Sequence, residues 1–357
     1  MPLTLLDELQ LERNELRSGV IQSIVEQVTI QDRLPWETTD SMQLTVVRLT
    51  DIPRIPMRMI NEVPSGVQAH HTQSQETLYI MDTDIDIDPV LMMAKNRVMS
   101  LEVAQTKAVS AAIGFQINDQ FINADTGTEP RNPMGLKARL RDDVRFVGGT
   151  VNATANATKL DFSPDASDAN KNAALTALDE LLLLVMRGKA SALISNQQFI
   201  LRMWAAMRTL KLLDTTRDQF DREIISYHKV PILDIGYTPE AAINGTPDAT
   251  TVESNQIIGY DADDYDSGND PGPGNGANAY TDTNTIYAVR WSPSTGRPDG
   301  SATDGLIALQ QAPLKIEPLG KTQEPPHFYR TNVLWVYNPS VPLDHRCIGR
   351  LIGFQLT

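Results

Sequence analysis

Cysteine, long apolar runs and early lysines are scarce or missing in this sequence. The single cysteine, Cys347, excludes a disulfide within the chain and favours a reducing compartment. No stretch approaches the roughly 18 apolar residues that a membrane span requires, and no secretory signal pattern opens the sequence. We therefore expect a soluble protein that is made inside the cell and has no membrane partner.

Positive charge is scarce as well. Lysine and arginine number 31 against 45 acidic residues, which gives a net charge of −14 and a pI near 4.8. Proteins that grip nucleic acid gain affinity from cationic side chains that release counterions. The densest basic stretch, residues 137–145, is interrupted by Asp142 and Asp143. The sequence therefore disfavours a protein that binds DNA or RNA specifically.

The apolar content is sufficient for more than one hydrophobic core. A chain of 357 residues with 41% hydrophobic content predicts two domains, or one domain with long excursions. In the second half, a helix–strand–helix–strand order over residues 169–186, 191–195, 197–212 and 230–234 predicts a compact α/β layer. Strand patterns resume at residues 285–291, 305–310, 330–337 and 350–356.

The first part of the chain has an elongated pattern. An apolar stripe over residues 1–34, interrupted at Gly19, predicts a helical segment in two pieces. Strand patterns at residues 44–49 and 76–80 then enclose a polar stretch, punctuated by prolines, that has no obvious core. Because prolines sit best at strand edges, this pattern predicts a long hairpin that reaches away from a body.

Four aspartates stand at every second position from Asp82 to Asp88 and allow two interpretations. They could bind a metal ion, or they could form the solvated face of a strand whose other face carries Ile85 and Ile87. Calcium ligands converge from a curved loop, which a straight strand does not provide. The half-solvated strand is therefore the favoured interpretation.

A long helix is predicted after this strand. Asp88 and Pro89 form a helix start, and no proline occurs from Val90 to Asn123. We predict one continuous helix over residues 89–123, about 50 Å long at about 1.5 Å per residue. Its predicted apolar stripe comprises Leu91, Ala94, Val98, Leu101, Gln105, Ala108, Ala112 and Phe115.

Residues 237–284 form the region of lowest complexity, which is rich in aspartate, glycine and proline. A calcium loop and a plain surface loop are the two interpretations. The aspartates miss the ligand spacing of a calcium loop, and the glycines do not match a dinucleotide-binding fingerprint. A surface loop is therefore favoured.

Motifs that carry catalysis are missing. No nucleophile elbow, phosphate loop, paired-cysteine metal site or zinc-protease helix motif occurs. His70 and His71 lie in the predicted hairpin, where adjacent side chains point to opposite faces and cannot easily share a metal. Ser195 and Cys347 have no recognisable base motif, and a buried structural thiol is favoured for Cys347. We predict no catalytic residue, no cofactor and no metal site.

Nine strings occur in a definite order along the chain: Gly19–Glu26 with Leu34–Trp36, Leu44–Arg48, Thr77–Met81, Asp119–Asn123, Met134–Leu136, Ala190–Gln198, Val230–Asp234, Thr285–Val289 and Asp304–Leu306. Together they resemble the major capsid proteins of tailed bacteriophages that have the Hong Kong 97 fold. The likeness covers nearly the whole chain, and it is carried by the order of the strings, since none is decisive alone.

The resemblance implies an α+β chain with the Hong Kong 97 capsid fold. Its parts would be an N-terminal arm (1–40), an extended hairpin called the E-loop (41–88), a peripheral domain with a long spine helix (89–149), an axial α/β domain (150–319) and a return to the peripheral domain (320–357). Residues 237–284 depart from the family pattern and look like an insertion in the axial domain.

The resemblance also implies a structural function without catalysis. Copies of the chain would assemble into pentamers and hexamers, in the cytoplasm of a bacterial host, and form the icosahedral head of a virion. That head would enclose double-stranded DNA without binding it specifically. Further partners would be portal and scaffolding proteins, and a decoration or cement protein. The alternatives are an encapsulin-like shell that houses cargo enzymes and, from another class, an enzyme with an unfamiliar site in the axial domain.

Candidates for contact between subunits lie at the tip of the E-loop: Ile52, Pro53, Arg54, Ile55, Pro56, Met57 and Arg58. Some members of the family cross-link their shell subunits covalently, by condensing an E-loop lysine with an asparagine of a neighbouring subunit. No lysine precedes Lys95 in this chain, and a guanidinium stays protonated and is a poor nucleophile. We therefore predict a shell that is held together without covalent links.

Overall fold

The computed structural model describes residues 30, 33–51, 53–92, 101–140, 160–161, 167–185, 189–210, 214–217, 223–236, 257–258, 283–292, 304–322 and 327–355. The helices are Pro89–Met92 (α1), Leu101–Asn123 (α2), Leu136–Leu140 (α3), Asp168–Leu184 (α4) and Gln197–Thr209 (α5). The strands are Trp36–Thr38 (β1), Gln43–Asp51 (β2), His70–Thr77 (β3), Tyr79–Ile87 (β4), Leu160–Asp161 (β5), Ala192–Ser195 (β6), Asp214–Arg217 (β7), Glu223–Tyr227 (β8), Val230–Asp234 (β9), Thr283–Val289 (β10), Leu306–Lys321 (β11), Tyr329–Pro342 (β12) and Ile348–Gln355 (β13).

A four-stranded sheet forms the first layer, in the order β1-β11-β12-β4. Strand β4 contains the alternating aspartates, and its pairing partner β12 lies about 250 positions later in the chain, with Asp82 opposite Leu334. Ile85 and Ile87 are buried, whereas Asp82, Asp84 and Asp86 are exposed. The half-solvated strand predicted from the alternation is confirmed.

A seven-stranded sheet forms the second layer, in the order β5-β13-β10-β6-β9-β8-β7. The predicted helix–strand–helix–strand unit is confirmed as α4, β6, α5 and β9, with β6 and β9 parallel. Asn196 caps α5 by accepting a hydrogen bond from the Phe199 N–H at 2.8 Å, and Ser167 caps α4 through the Asn170 N–H.

The closing strand β13 lies in this second sheet beside β10, and the domain division at residue 320 stays a prediction. A short 3-10 turn, His345–Cys347, separates β12 from β13, and the Arg290 N–H donates to the Cys347 carbonyl at 2.8 Å. This bond brings β13 alongside β10. Strand β11 begins at Leu306, which lies inside the range 150–319 predicted for the axial domain, and it belongs to the four-stranded sheet.

The spine helix α2 packs against both sheets. Ile113, Ile117 and Phe121 belong to one apolar cluster that also contains Trp335 of the first sheet and Ile194 of the second. On the other face of the second sheet, α4 and α5 form a separate cluster. The two sheets therefore share a core around the spine helix.

The buried stripe of α2 differs from the predicted one. Gln105, Ala108 and Ala112 are exposed, and Phe115 is only partly buried. The stripe that faces the core is Thr106, Ser110, Ile113, Ile117 and Phe121. Large isoleucine and phenylalanine side chains gain more from burial than alanine or glutamine, so they set the rotation of the helix.

A helix begins at Pro89 as predicted, and Asp88 Oδ1 accepts a hydrogen bond from the Val90 N–H at 2.8 Å. Residues 93–100 lie outside the described part of the chain, so the continuity of the helix over 89–123 stays a prediction. The N-terminal apolar stripe also lies outside it, apart from Ile30 and the segment from residue 33, where Leu34 is buried in the core.

Most of the predicted insertion, residues 237–284, also lies outside the described residues. Ile257 and Ile258 are described, and both are buried in the core around the spine helix. The Asn123 amide donates to the Ile257 carbonyl at 2.7 Å, and the Asn196 amide donates to the Ile258 carbonyl at 2.9 Å. At this point, therefore, the segment returns to the core, which the prediction of a surface loop missed.

Candidate assembly surface

The hairpin formed by β2 and β3 makes a two-stranded sheet of its own. Its register runs from Gln43 opposite Thr77 to Asp51 opposite His70, and neither strand pairs with a third strand among the described residues. The side chains of His70 and His71 are exposed. A two-stranded hairpin is marginally stable alone, so its conformation depends on what it contacts at its two ends.

The hairpin root, residues 76–79, is packed against the body. Leu78 is buried with Val46 against Ile307 and Leu309 of β11 and Val341 of β12. The Leu78 N–H donates to the Met42 carbonyl at 2.9 Å. These contacts anchor the hairpin to the four-stranded sheet.

A buried ion pair also joins the root to α3. Arg139 donates through Nη1 to Glu76 Oε1 at 3.0 Å and through Nη2 to Oε2 at 2.7 Å. The two side chains are only 8% and 11% exposed. Such a bidentate pair fixes the relative orientation of the two side chains as well as the distance between them.

The hairpin tip, residues 53–69, has an ordered turn at its end. The Glu62 N–H donates to the Met59 carbonyl at 3.2 Å, and the Met59 N–H donates to Glu62 Oε2 at 2.7 Å. Arg58 Nη1 donates to the Glu62 carbonyl at 2.8 Å. Asn61 adopts a left-handed conformation with φ of 70°, which asparagine tolerates well. The turn thus satisfies its own polar groups.

Six large apolar side chains of the tip are exposed, and we call the five that are more than three-quarters exposed the tip cluster. An apolar group of this kind on the surface of a soluble protein usually marks an interaction site. Burying one such side chain contributes about 1.5–3 kcal/mol. The members and their exposed fractions are Ile55 (77%), Met57 (97%), Met59 (81%), Ile60 (93%) and Val63 (86%).

The structure brings most of the predicted contact residues to this tip. Arg54, Ile55, Pro56, Met57 and Arg58 are exposed and Pro53 is partly exposed, while Ile52 lies outside the described residues. The prediction missed Met59, Ile60 and Val63. Their apolar character within a segment that has no core to join was the signal that could have identified them.

The outer face of β4 carries its aspartates, which are paired with side chains of β12. Arg330 donates through Nε and Nη2 to the two carboxylate oxygens of Asp86, both at 2.7 Å. The Asn332 amide donates to Asp82 at 2.7 Å and to Asp84 at 2.8 Å. The hydrogen bond from Arg330 lowers the pKa of Asp86. Among the described residues, no group of three acidic, histidine or cysteine side chains is placed to hold a metal ion.

A cavity of about 680 Å³ between α4 and the turn from β8 to β9 is lined by side chains that can take part in acid–base or nucleophilic catalysis. Asp179 accepts a hydrogen bond from the Tyr227 hydroxyl at 2.7 Å and lies 3.2 Å from His228 Nε2. Burial, and then the bond to Asp179, raises the pKa of Tyr227. Ser226 also lines the cavity, but its buried hydroxyl has no hydrogen-bond partner and so is not activated by His228. The arrangement is not that of an activated nucleophile.

The two other candidate nucleophiles are buried as well. The Ser195 hydroxyl donates to the Thr285 carbonyl at 3.3 Å inside the second sheet. Cys347 is buried and forms no disulfide, as the sequence predicted. None of the described helices is both long enough and apolar enough to cross a membrane.

Comparison with known proteins gives matches in structure only. No protein-family model matches the chain, and no curated protein matches its sequence. The SrpI encapsulin of Synechococcus elongatus PCC 7942 matches with 13% identity and a TM-score of 0.51, over 100% of this chain and 98% of the encapsulin chain. The capsid protein of a native GTA particle matches with 12% identity and a TM-score of 0.51, over 96% of this chain and 93% of that chain.

These likenesses establish the fold. The chain has the mixed α+β fold of encapsulin and capsid proteins, which is the Hong Kong 97-like fold that the sequence strings predicted.

Proposed function

We propose that this chain is the major capsid protein of a tailed bacteriophage, a structural subunit without catalytic function. Copies of it assemble into pentamers and hexamers and form an icosahedral head around double-stranded DNA. Assembly takes place in the cytoplasm of a bacterial host, and the protein ends in the virion. The shell-protein fold supports this proposal.

The observation that carries the proposal is the hairpin with its tip cluster. The cluster offers large apolar side chains to solvent at the end of a two-stranded ribbon. An isolated monomer would gain nothing from this arrangement, because exposed apolar area favours aggregation. In a shell, a neighbouring subunit covers the cluster, and many such modest contacts in a closed assembly add to a stable particle.

The charge of the chain suits a container. A net charge of −14 repels the phosphate backbone, so the wall does not compete with packing of the genome. We therefore propose enclosure of DNA without specific binding. Portal and scaffolding proteins are the expected partners during assembly, and a decoration or cement protein is a further candidate.

An encapsulin-like shell that houses cargo enzymes is the second candidate function. The match to the SrpI encapsulin over 100% of this chain favours it as much as the match to the GTA capsid favours the first. The contents of the particle separate the two. Particles purified from the natural host should contain double-stranded DNA and one portal complex, whereas an encapsulin would contain a cargo enzyme and no genome.

Expression of the chain alone tests the shared part of both proposals. Size-exclusion chromatography and electron microscopy of the purified protein should reveal closed shells or ring-shaped capsomers. A monodisperse monomer at all concentrations would contradict both.

A further inference from the structure

The hairpin meets the body at a narrow junction. Strand β3 ends at Thr77 and β4 begins at Tyr79, so Leu78 alone separates the hairpin from the four-stranded sheet on this side, while residues 39–42 connect β1 to β2 on the other. One residue of backbone does not by itself fix the angle between two sheets, since its φ and ψ remain soft. The direction of the hairpin therefore depends on side-chain contacts at the root.

Besides the packing of Val46 and the hydrogen bond from Leu78 to Met42, three contacts hold this junction, and they do not all lead to the same part of the body. Leu78 packs into the cluster of the four-stranded sheet, and the Asn338 amide donates to the Thr77 carbonyl at 2.9 Å. The third contact, from Glu76 to Arg139, leads to α3 instead. The first two contacts hold the root on the four-stranded sheet. The third contact attaches the root to a helix outside that sheet.

Helix α3 is itself fixed to the end of the spine helix. The Gly135 N–H, just before α3, donates to the Ala124 carbonyl at 2.7 Å, just after α2. A Cβ on Gly135 would lie 2.6 Å from the Ile122 carbonyl oxygen, so the two backbones are in close contact there. The ion pair consequently ties the hairpin to the spine helix.

We propose that the buried pair of Glu76 and Arg139 is an angle-setting clamp. These positioning residues fix the direction in which the hairpin leaves the body, and through it the curvature of the shell. The second half of this inference rests on the proposed function, because only a shell has a curvature to set.

The geometry of the pair suits a clamp. The Nη1 and Nη2 atoms of Arg139 each donate to one carboxylate oxygen of Glu76, and Nε donates to the Met134 carbonyl at 2.9 Å. The Ser340 hydroxyl donates to the same carbonyl. A planar guanidinium held at three points cannot rotate, whereas a lysine ammonium would keep the charge and lose the orientation.

The length of the hairpin amplifies small changes at its root. From Glu76 to His70, strand β3 advances six residues at about 3.3 Å each, which places the start of the tip roughly 20 Å from the clamp. A rotation of about 10° at the root would then move that point by roughly 3.5 Å. A movement of that size would shift the tip cluster from one set of contacts to another.

The test measures the angle directly and the shell separately. Spin labels on Gly66→Cys at the tip and Leu201→Cys on α5 report the distance between hairpin and body. Both sites are exposed, whereas the natural Cys347 is buried, and the parent protein treated with the same label controls for any reaction at Cys347. The variants are Glu76→Gln and Arg139→Lys, and the matched control is Glu317→Gln, which removes the exposed 2.7 Å pair of Lys315 and Glu317 on β11. Particle diameters are measured by electron microscopy on unlabelled protein.

We expect one narrow distance in the parent and in Glu317→Gln, and a broadened or shifted distance in both clamp variants, with mixed particle diameters. Unchanged distances in folded Arg139→Lys, which retains the buried positive charge, would overturn the clamp even if Glu76→Gln failed to fold. Broadened distances with uniform shells of parental diameter would overturn its role in curvature. A parent chain that forms no shell, but whose hairpin distance broadens in the variants, would refute the proposed function and leave the clamp intact.

Discussion

At the residue scale, we expect single side chains of the hairpin tip to determine how strongly the subunits associate. Met57 is 97% exposed, so its replacement by aspartate removes no contact within the subunit. We expect the subunit's free energy of unfolding to change by no more than about 0.5 kcal/mol. Assembly should weaken, since loss of about 1.5–3 kcal/mol of burial raises the concentration needed for assembly by roughly tenfold or more.

Light scattering recorded as a function of protein concentration measures the concentration that Met57→Asp needs for assembly. The control is Leu183→Asp, which places the same charge at an exposed apolar position of α4, away from the hairpin. Equal losses in both variants would show that added charge alone is responsible and would remove the tip cluster from the account.

A second residue-scale prediction concerns pH and the pair of Asp86 and Arg330. Hydrogen bonding by Arg330 lowers the pKa of Asp86 in the folded state, so the pair contributes stability above the ordinary aspartate pKa. That contribution is lost as the pH falls through the lowered value. We expect Asp86→Asn to be less stable than the parent at about pH 6, and we expect this difference to be smaller at about pH 2.

Urea unfolding at the two pH values checks the pH prediction. The effect should be small, because the pair lies on the surface. A constant difference between the two proteins at both values would mean that the carboxylate charge of Asp86 contributes nothing.

At the scale of elements, the packing of α3 against the end of α2 depends on the absence of a side chain at position 135. Gly135→Ala would place a Cβ 2.6 Å from the Ile122 carbonyl oxygen and 2.9 Å from that of Gln120. Because these contacts are with helix backbone, which cannot move aside as a flexible side chain can, we expect a loss of about 1–3 kcal/mol in the free energy of unfolding.

The control for this substitution is Gly66→Ala in the hairpin tip. A Cβ at Gly66 meets no atom within 4 Å, so that variant should unfold with the same urea midpoint as the parent. If both alanine variants matched the parent, the close approach of α3 to the spine helix would not be a constraint on the fold.

Local pattern predicted the elements that depend on local chemistry. The alternation from Asp82 to Asp88 predicted strand β4 and its solvated face, and the Asp88–Pro89 pair predicted a helix that begins at Pro89. The order of α4, β6, α5 and β9 also followed from periodicity. Each of these depends on neighbours within a few residues.

Features that depend on contacts between residues far apart in the chain could not be predicted from local sequence patterns. The rotation of α2 was set by Ile113, Ile117 and Phe121 meeting both sheets, and weaker apolar positions had predicted a different face. The place of β13 depends on pairing with β10, which lies over sixty positions earlier. The Glu76–Arg139 pair joins residues 63 positions apart, and no spacing rule relates such residues.

At the scale of the whole molecule, the composition of the reaching segments limits how a shell could be stabilised. No lysine precedes Lys95, so the hairpin offers no amine that could condense with a neighbour. We expect mature particles, boiled in detergent and reductant, to run on a gel as a single band near 39.5 kDa. A ladder of covalent multimers would contradict this prediction.

The reconstruction of particles by electron cryomicroscopy tests the central claim most directly. The account predicts closed icosahedral shells of pentamers and hexamers in which Met57, Ile60 and the rest of the tip cluster are buried against a neighbouring subunit. Particles whose hairpin tips remain in solvent, or a preparation that contains only monomers, would contradict it.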